Sequence, residues 1–434
     1  MSFKLKKISL VLLCVSVFFT VSVLNAAEWK SEPGVSLKGQ YNDNVRMRAD
    51  ENNPQASTGY TLEPRIKFAG EELRLWDMSV DTRAKITRFQ DIEDGDSENL
   101  FFNFDGGRQT ELTDWRLNAN YSRNTNFDTD FDTSNPDVGL GDRTERTNIS
   151  IAPSVRWNSS ETSQMRFSLN AAQVTYDEVT NLNYRDYDNS SLNFNAFWRL
   201  AENHQLGFTS SYTDYESPDA NFSYNQTVLQ MDYTYTINPL SSIAISFGGR
   251  NLDSLSTDVV TSCIIDDSIG GGVLTPVNGQ CPDSPLITPV IEDVSNQDTG
   301  TVTNITYSSK SELTSHRFTG SRTISPSSFG GASELRSVTY QFSVNNTERF
   351  TTKLLLDAYD SSTVSGTPSS SRNDRTQYRI EPSISYRLTE NWNLQFLYRH
   401  INQDYINRAT GGESTSNAIY INLYLHWPKL VTTY

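Results

Sequence analysis

Apolar and polar residues alternate along most of the chain, in segments of about ten residues that recur from Val35 to Trp427. Segment 418–427 is one example, in which the apolar phase consists of Ile419, Ile421, Leu423, Leu425 and Trp427. A period of two residues is typical of a β-strand, because successive side chains of a pleated chain point to opposite faces. The chain is therefore predicted to consist of strands that each carry one apolar face.

The connections between these segments alternate between short and long. The short ones are 70–73, 111–114, 158–161, 201–204, 238–241, 311–313, 345–348 and 388–391. The long ones are 48–57, 90–97, 128–142, 179–185, 216–221, 256–299, 325–331, 364–371 and 405–413. Short turns on one side and long loops on the other are typical of outer-membrane barrels, with the short turns in the periplasm and the long loops outside the cell.

The alternation of short and long connections predicts an all-β fold, an antiparallel up-and-down transmembrane β-barrel of about eighteen strands with both termini in the periplasm. Sixteen strands stay an alternative, because Ser315–Thr323 alternates poorly. A soluble β-sandwich or propeller is less favoured, since its strands would be shorter and its connections would not alternate in length.

Residues 1–27 have the features of a secretory signal peptide. Lys4, Lys6 and Lys7 precede an apolar stretch, and Ala26 and Ala27 provide small residues at a cleavage site. No later stretch approaches the roughly 20 apolar residues that a spanning helix needs. Residues 28–434 are predicted to form one barrel domain with a long extracellular loop at 256–299.

The formal net charge of −16 argues against nucleic acid as a partner. Outside the signal peptide the chain has two cysteines, Cys263 and Cys281, in a Gly/Pro-rich stretch. In an exported protein such an isolated pair predicts a loop disulfide rather than a metal site. Nothing in the composition calls for a cofactor.

Two groups of residues follow from the phases of the predicted strands. Six tryptophans of the apolar phase lie beside short turns and are predicted to form an interfacial aromatic girdle: Trp76, Trp115, Trp157, Trp198, Trp392 and Trp427. Basic residues of the polar phase are predicted to face the lumen: Arg65, Lys67, Arg83, Lys85, Arg116, Arg156, Arg166, Arg199, Arg250, Lys353, Arg379 and Arg387. These cations either attract anions or pair with lumen acids such as Asp77 and Asp81 to brace the wall, and both readings stay open.

Two further chemistries are less favoured. Asp128, Asp130 and Asp132 lie in an acidic loop without the Gly and Glu of a helix-loop-helix calcium site, so a loose divalent ion or a bridge to lipopolysaccharide is a weaker reading than a solvated loop. The four histidines, His204, His316, His400 and His426, do not stand beside an evident Ser or Asp partner. An enzyme is therefore not expected.

Several short motifs resemble the β-barrel porins of the second type, a family associated with exopolysaccharide and exosortase (PEP-CTERM) loci. The motifs are Tyr41-Asn42-Asp43-Asn44-Val45, three proline-containing strands around Pro64, Pro153 and Pro382, and tyrosine-rich hairpins up to the C-terminus. The resemblance implies an outer-membrane barrel near the export of a surface polymer. It does not identify a solute.

The sequence thus predicts a pore or conduit in the outer membrane of a Gram-negative bacterium, with exopolysaccharide export as the narrower possibility. The alternatives are a non-conducting barrel that anchors a surface polymer and an outer-membrane hydrolase. The expected partners are outer-membrane lipid, lipopolysaccharide, the barrel-assembly machinery, and polysaccharide or small anionic solutes.

Overall fold

The protein is a closed antiparallel β-barrel whose wall has eighteen strands, as the alternation predicted. The computed structural model describes residues 28–47, 54–72, 75–92, 95–125, 144–177, 184–265, 272–274, 287–327, 331–364, 374–405 and 412–433. Residues 1–27 lie outside these ranges, so the signal peptide stays a prediction.

Twenty strands are numbered here in chain order, of which all but the short β12 and β20 form the wall. They are β1 (Glu28–Asn42), β2 (Ser57–Glu72), β3 (Trp76–Phe89), β4 (Ser97–Gln109), β5 (Thr113–Thr125), β6 (Glu145–Asn158), β7 (Ser163–Tyr176), β8 (Tyr187–Ala201), β9 (His204–Ser217), β10 (Phe222–Asn238), β11 (Ser241–Ile265), β12 (Gly272–Leu274), β13 (Ile287–Lys310), β14 (Thr314–Ser327), β15 (Gly331–Asn345), β16 (Phe350–Thr363), β17 (Arg375–Arg387), β18 (Trp392–Tyr405), β19 (Glu413–His426) and β20 (Leu430–Thr433).

Each wall strand pairs with the one before and the one after it, and β1 closes the barrel by pairing with β19 from Gly34↔His426 to Asn42↔Ala418. The short strand β20 pairs with the start of β1 and so extends this junction of the first and last strands, here called the seam. The alternative of sixteen strands is wrong, because the poorly alternating segment 315–323 is part of the full strand β14. Among the described residues, no helix is long and apolar enough to cross a membrane.

The motif that carries the family resemblance lies at this seam. The side-chain oxygen of Asn42 accepts a hydrogen bond from the Ser416 hydroxyl at 2.8 Å. The carboxylate of Asp43 accepts two from Asn417, one from its backbone N–H at 2.6 Å and one from its side-chain amide at 2.8 Å. The Asn44 amide donates to a backbone carbonyl of β19. The motif therefore fastens the first strand to the last at the long-connection end.

The three prolines Pro64, Pro153 and Pro382 occupy gaps in the strand ladders. Pairing of β2 with β3 is interrupted at Pro64, that of β6 with β7 at Pro153, and that of β17 with β18 at Pro382. The register is the same on both sides of each gap, so no extra residue is inserted. Proline has no N–H to donate, which accounts for the missing pairs.

The segment predicted as a long loop at 256–299 is largely strand. β11 runs on to Ile265 and β13 begins at Ile287, and the two remain paired beyond the end of the neighbouring strands. The described part of the segment is thus a hairpin that extends from the wall. Cys263 is buried in β11. Its predicted partner Cys281 lies outside the described residues, so the disulfide stays a prediction.

We expect Asp43→Ala to lower the free energy of unfolding by about 1–3 kcal/mol, because the variant removes the acceptor of two seam hydrogen bonds and leaves Asn417 unsatisfied. Urea titration of the refolded barrel in detergent micelles measures this. Asp219→Ala is the matched control, since Asp219 is exposed in the turn before β10. An equal effect of both substitutions would contradict the role of the motif in closure.

Candidate functional site

The lumen-facing side chains differ between the two ends of the barrel. Near the long connections they are buried in almost every strand, as for Thr87, Val174, Gln226 and Ser416. Near the short turns most side chains of the same phase are half-buried or exposed, and the buried Asp114 is an exception. A wall of eighteen strands encloses more space than its own side chains fill. The lumen is therefore accessible from the short-turn end and packed at the other.

Several of the predicted lumen cations pair with lumen acids. The Arg65 guanidinium donates to Asp81 at 2.9 Å. Arg116 lies 2.5 Å from Asp77, and Arg156 lies 2.5 Å from Asp114. These pairs join β2 to β3, β5 across β4 to β3, and β6 to β5, which is the arrangement expected of cations that brace the wall.

The other members of the predicted cation set are placed as follows. Arg83 faces Glu63 at 3.5 Å and lies over the inward-facing Phe101 ring at 4.3 Å. Lys67 of β2 pairs in register with Asp81 of β3, and Lys85 lies on the same face of β3 as Asp81. Both lysines therefore belong to the lumen-facing phase. Arg379 is buried, 3.9 Å from the buried Asp357.

A second group of lumen cations is exposed near the short turns and forms no ion pair with any described residue. Its members are Arg166, Arg199, Arg317, Lys353 and Arg387. They belong to β7, β8, β14, β16 and β17, so they surround the short-turn end from two sides. Arg317 was missing from the predicted set because β14 alternates poorly. In the structure Arg317 pairs in register with Ser308 of β13, and this pairing places it on the lumen face.

Two recesses open on the wall at this end. One, of about 590 Å³, is lined by Arg199 and Phe197, with Glu111 and Glu161 at its rim. The other, of about 700 Å³, lies along β13–β18 and includes Arg317 and Lys353.

The long-connection end is packed by an aromatic cluster. Tyr215 of β9 stacks on Tyr224 of β10 at 4.8 Å between ring centroids and contacts Tyr187 of β8 at 5.3 Å. All three face the lumen and are buried together with Leu252 of β11.

The same aromatic cluster includes residues that follow β13 in the chain, from the start of β15 and the end of β16. Ala332 at the start of β15 is fully buried in it, and the carbonyl of Ala332 accepts a hydrogen bond from the N–H of Val364, another member. The ladder between β13 and β14 stops at Thr303↔Arg322, which frees the ends of β14 and β15 from the wall. The tip of the β14–β15 hairpin therefore packs against lumen-facing side chains of β7–β11.

A buried ion-pair group, here called the mouth cluster, joins this tip to β11. The Arg250 side chain is 3% exposed and donates to Asp298 at 2.8 Å and to Glu334 at 3.0 Å. Arg322 and Arg336 bind the same Glu334 carboxylate. The Arg250 side chain crosses Gly300. A Cβ at position 300 would lie 2.8 Å from the guanidinium, so glycine leaves room for Arg250 to reach its two carboxylates.

The predicted girdle tryptophans lie near the short turns and face outward. Trp115, Trp157, Trp198, Trp392 and Trp427 are exposed. Trp76 contacts Trp29 at 5.9 Å, a tryptophan that the sequence reading omitted. An outward row of tryptophans near the short turns is typical of an interfacial girdle, and its contact with the headgroup region stays a prediction.

The histidines and the acidic loops offer no described catalytic or metal site. His204 and His316 contact tyrosine hydroxyls, and His400 contacts Asn417. Among the residues that the structure describes, no cluster of His, Cys, Asp and Glu could hold a metal ion. Asp128, Asp130 and Asp132 lie outside the described ranges.

No protein-family model matches this sequence, and no curated protein sequence is similar to it. Membership of the second-type porins therefore stays a prediction. Solved structures with a similar barrel include OccAB2 of Acinetobacter baumannii (12% identity, 92% of this chain and 98% of that chain, TM-score 0.44). Another is OccK2 (OpdF) of Pseudomonas aeruginosa in complex with glucuronate (9%, 92% and 98%, 0.45). A third is the ferric-catecholate import receptor Fiu from E. coli K12 (8%, 91% and 81%, 0.47).

Similarity at this level carries no argument about function. The closed wall and its outward apolar band do bear on location, since a closed barrel leaves no unpaired strand edge in the membrane. The protein is an outer-membrane β-barrel.

We expect Glu334→Gln to lower the free energy of unfolding by about 3 kcal/mol, because it removes the carboxylate that Arg250, Arg322 and Arg336 share and leaves the buried Arg250 with Asp298 as its one described counter-charge. Denaturant titration in micelles measures the loss. The double variant Arg250→Gln/Glu334→Gln is expected to recover part of it, whereas Glu348→Gln in an exposed turn leaves stability unchanged. A Glu334→Gln barrel as stable as the native one would rule out the mouth cluster as a stabilising contact.

Proposed function

We propose that the protein is an outer-membrane pore for small anions, entered from the periplasmic, short-turn end and closed at its outer mouth in the conformation described. The observation that carries the proposal is the group of exposed lumen cations without a described ion-pair partner, Arg166, Arg199, Arg317, Lys353 and Arg387.

The location of these charges favours anion attraction over bracing. A guanidinium that braces a wall is held by a carboxylate, as Arg65 is by Asp81. The exposed group instead presents its charge to the water of the lumen. Charged side chains that line a low-dielectric cleft concentrate counter-ions and select permeant ions by their sign.

The packed outer mouth makes this pore one that opens by rearrangement. The β14–β15 tip leaves the ladder of β13 and lies against lumen-facing residues, so its release would widen the mouth without breaking the wall. The contacts that would have to separate are those of Arg250 with Glu334 and of Ala332 with the aromatic cluster.

The narrower proposal of exopolysaccharide export rests on the resemblance of the short motifs alone. Among the lumen-facing rings, Tyr187, Tyr215 and Tyr224 are buried in the aromatic cluster, and Phe101 and Phe197 lie apart on β4 and β8, so these rings do not form a continuous path of stacking surfaces for a sugar chain. Small anions therefore fit the described lumen better. A non-conducting structural barrel is the main rival, and the packed mouth is the observation in its favour.

Planar bilayer recordings separate the pore from its rival. We expect the native barrel to give small anion-selective currents, and the variant Glu334→Gln/Leu252→Ala, which weakens both mouth contacts, to give larger unitary conductance. Absence of unitary currents from both proteins would favour the structural barrel.

Selectivity tests the role of the cations separately. The variant Arg166→Glu/Arg199→Glu is expected to move the reversal potential in a salt gradient toward cation selectivity, because it reverses two exposed lumen charges. The charge-conserving variant Arg166→Lys/Arg199→Lys is expected to keep the native reversal potential. A reversal potential unaffected by the glutamates would show that these residues do not line the conducting path.

A further inference from the structure

The recess along β13–β18 combines charged and hydroxyl groups in two adjacent cross-strand rows of the lumen face. Arg317 of β14 pairs in register with Ser308 of β13 and with Gln341 of β15. Lys353 of β16 pairs with Ser343 of β15 and, on its other side, with Ser383 of β17.

The two cations therefore flank β15 on the same face. Neighbouring strands lie about 4.8 Å apart, which places the backbones of β14 and β16 about 10 Å apart. Long basic side chains at that separation can both reach a molecule lying over β15. Gln341 and Ser343 lie between them and supply an amide and a hydroxyl to the same surface.

The charge balance of this recess differs from that of the recess at Arg199. Lys310 adds a third exposed cation at the rim, and the carboxylate that lines the recess, Glu381, is bound by Arg399 at 2.6 Å. At Arg199 the rim instead carries the exposed carboxylates of Glu111 and Glu161. The charge balance therefore favours an anion more strongly along β13–β18 than at the recess of Arg199.

We infer that this recess is a binding site for a small hydroxylated carboxylate. The carboxylate would lie between Arg317 and Lys353, and the hydroxyls of the ligand would exchange hydrogen bonds with Ser308, Ser343, Ser383 and Gln341. Guanidinium and ammonium groups donate charge-assisted hydrogen bonds to carboxylates, and serine hydroxyls can donate to or accept from a polyol. The inference rests on the proposed pore, for which it names the class of solute.

Isothermal titration calorimetry on the full barrel in detergent micelles tests this site, with gluconate as the probe. Acetate supplies the charge without the hydroxyls and sorbitol supplies the hydroxyls without the charge, so each is expected to bind at least tenfold more weakly. We expect Arg317→Gln and Lys353→Gln each to weaken gluconate binding about tenfold, and the double variant about a hundredfold.

The control variant Arg166→Gln/Arg199→Gln removes the same charge from the same end of the lumen, on other strands. If it weakens gluconate binding as much as Arg317→Gln/Lys353→Gln does, the effect comes from the overall electrostatic potential of the lumen and the site is refuted. Gluconate that binds no better than acetate refutes the role of the hydroxyls.

Binding and conduction can fail independently. A barrel that conducts anions but does not bind gluconate would overturn the site and leave the pore intact. A barrel that binds gluconate through Arg317 and Lys353 but carries no current would support the site and overturn the pore.

Discussion

A strand that faces hydrocarbon can satisfy its N–H and C=O groups only through a neighbouring strand, and the rest of this structure depends on that constraint. It accounts for the closed ladder of eighteen strands and for the hydrogen bonds by which Asp43 fastens the first strand to the last. It also explains why the three prolines are tolerated. Each interrupts the ladder on one side only and keeps the register, so the wall stays continuous.

Closure of the wall leaves a lumen whose contents then determine what the barrel can do. At the short-turn end the lumen presents exposed cations, whereas at the other end Tyr215, Tyr224 and Leu252 are packed together with the β14–β15 tip. The ladder makes this difference possible. β14 leaves β13 after Arg322, so its tip can depart from the wall while the rest of the strand stays paired.

The sequence was sufficient for the wall and for the faces of its strands, because a period of two residues encodes both directly. It was insufficient for the partners of charged residues. Arg65 and Arg166 have the same lumen phase and are both exposed, yet Arg65 is bound by Asp81, whereas Arg166 forms no ion pair with a described residue, a difference set by the register of neighbouring strands. Phase also misleads at the β14–β15 tip, where Glu334 has the outward phase but binds the lumen-facing Arg250. Such a contact depends on where a ladder stops, which the alternation does not encode.

The central claim is that water reaches the lumen from the short-turn end and is excluded from the other. Cysteine accessibility tests it most directly, with Ser168→Cys and Ser254→Cys as single lumen-facing probes in the folded barrel and the unsubstituted chain as the baseline. A membrane-impermeant thiol reagent supplied from the short-turn side should label position 168 rapidly and position 254 at least tenfold more slowly. Equal labelling of both positions would contradict the account.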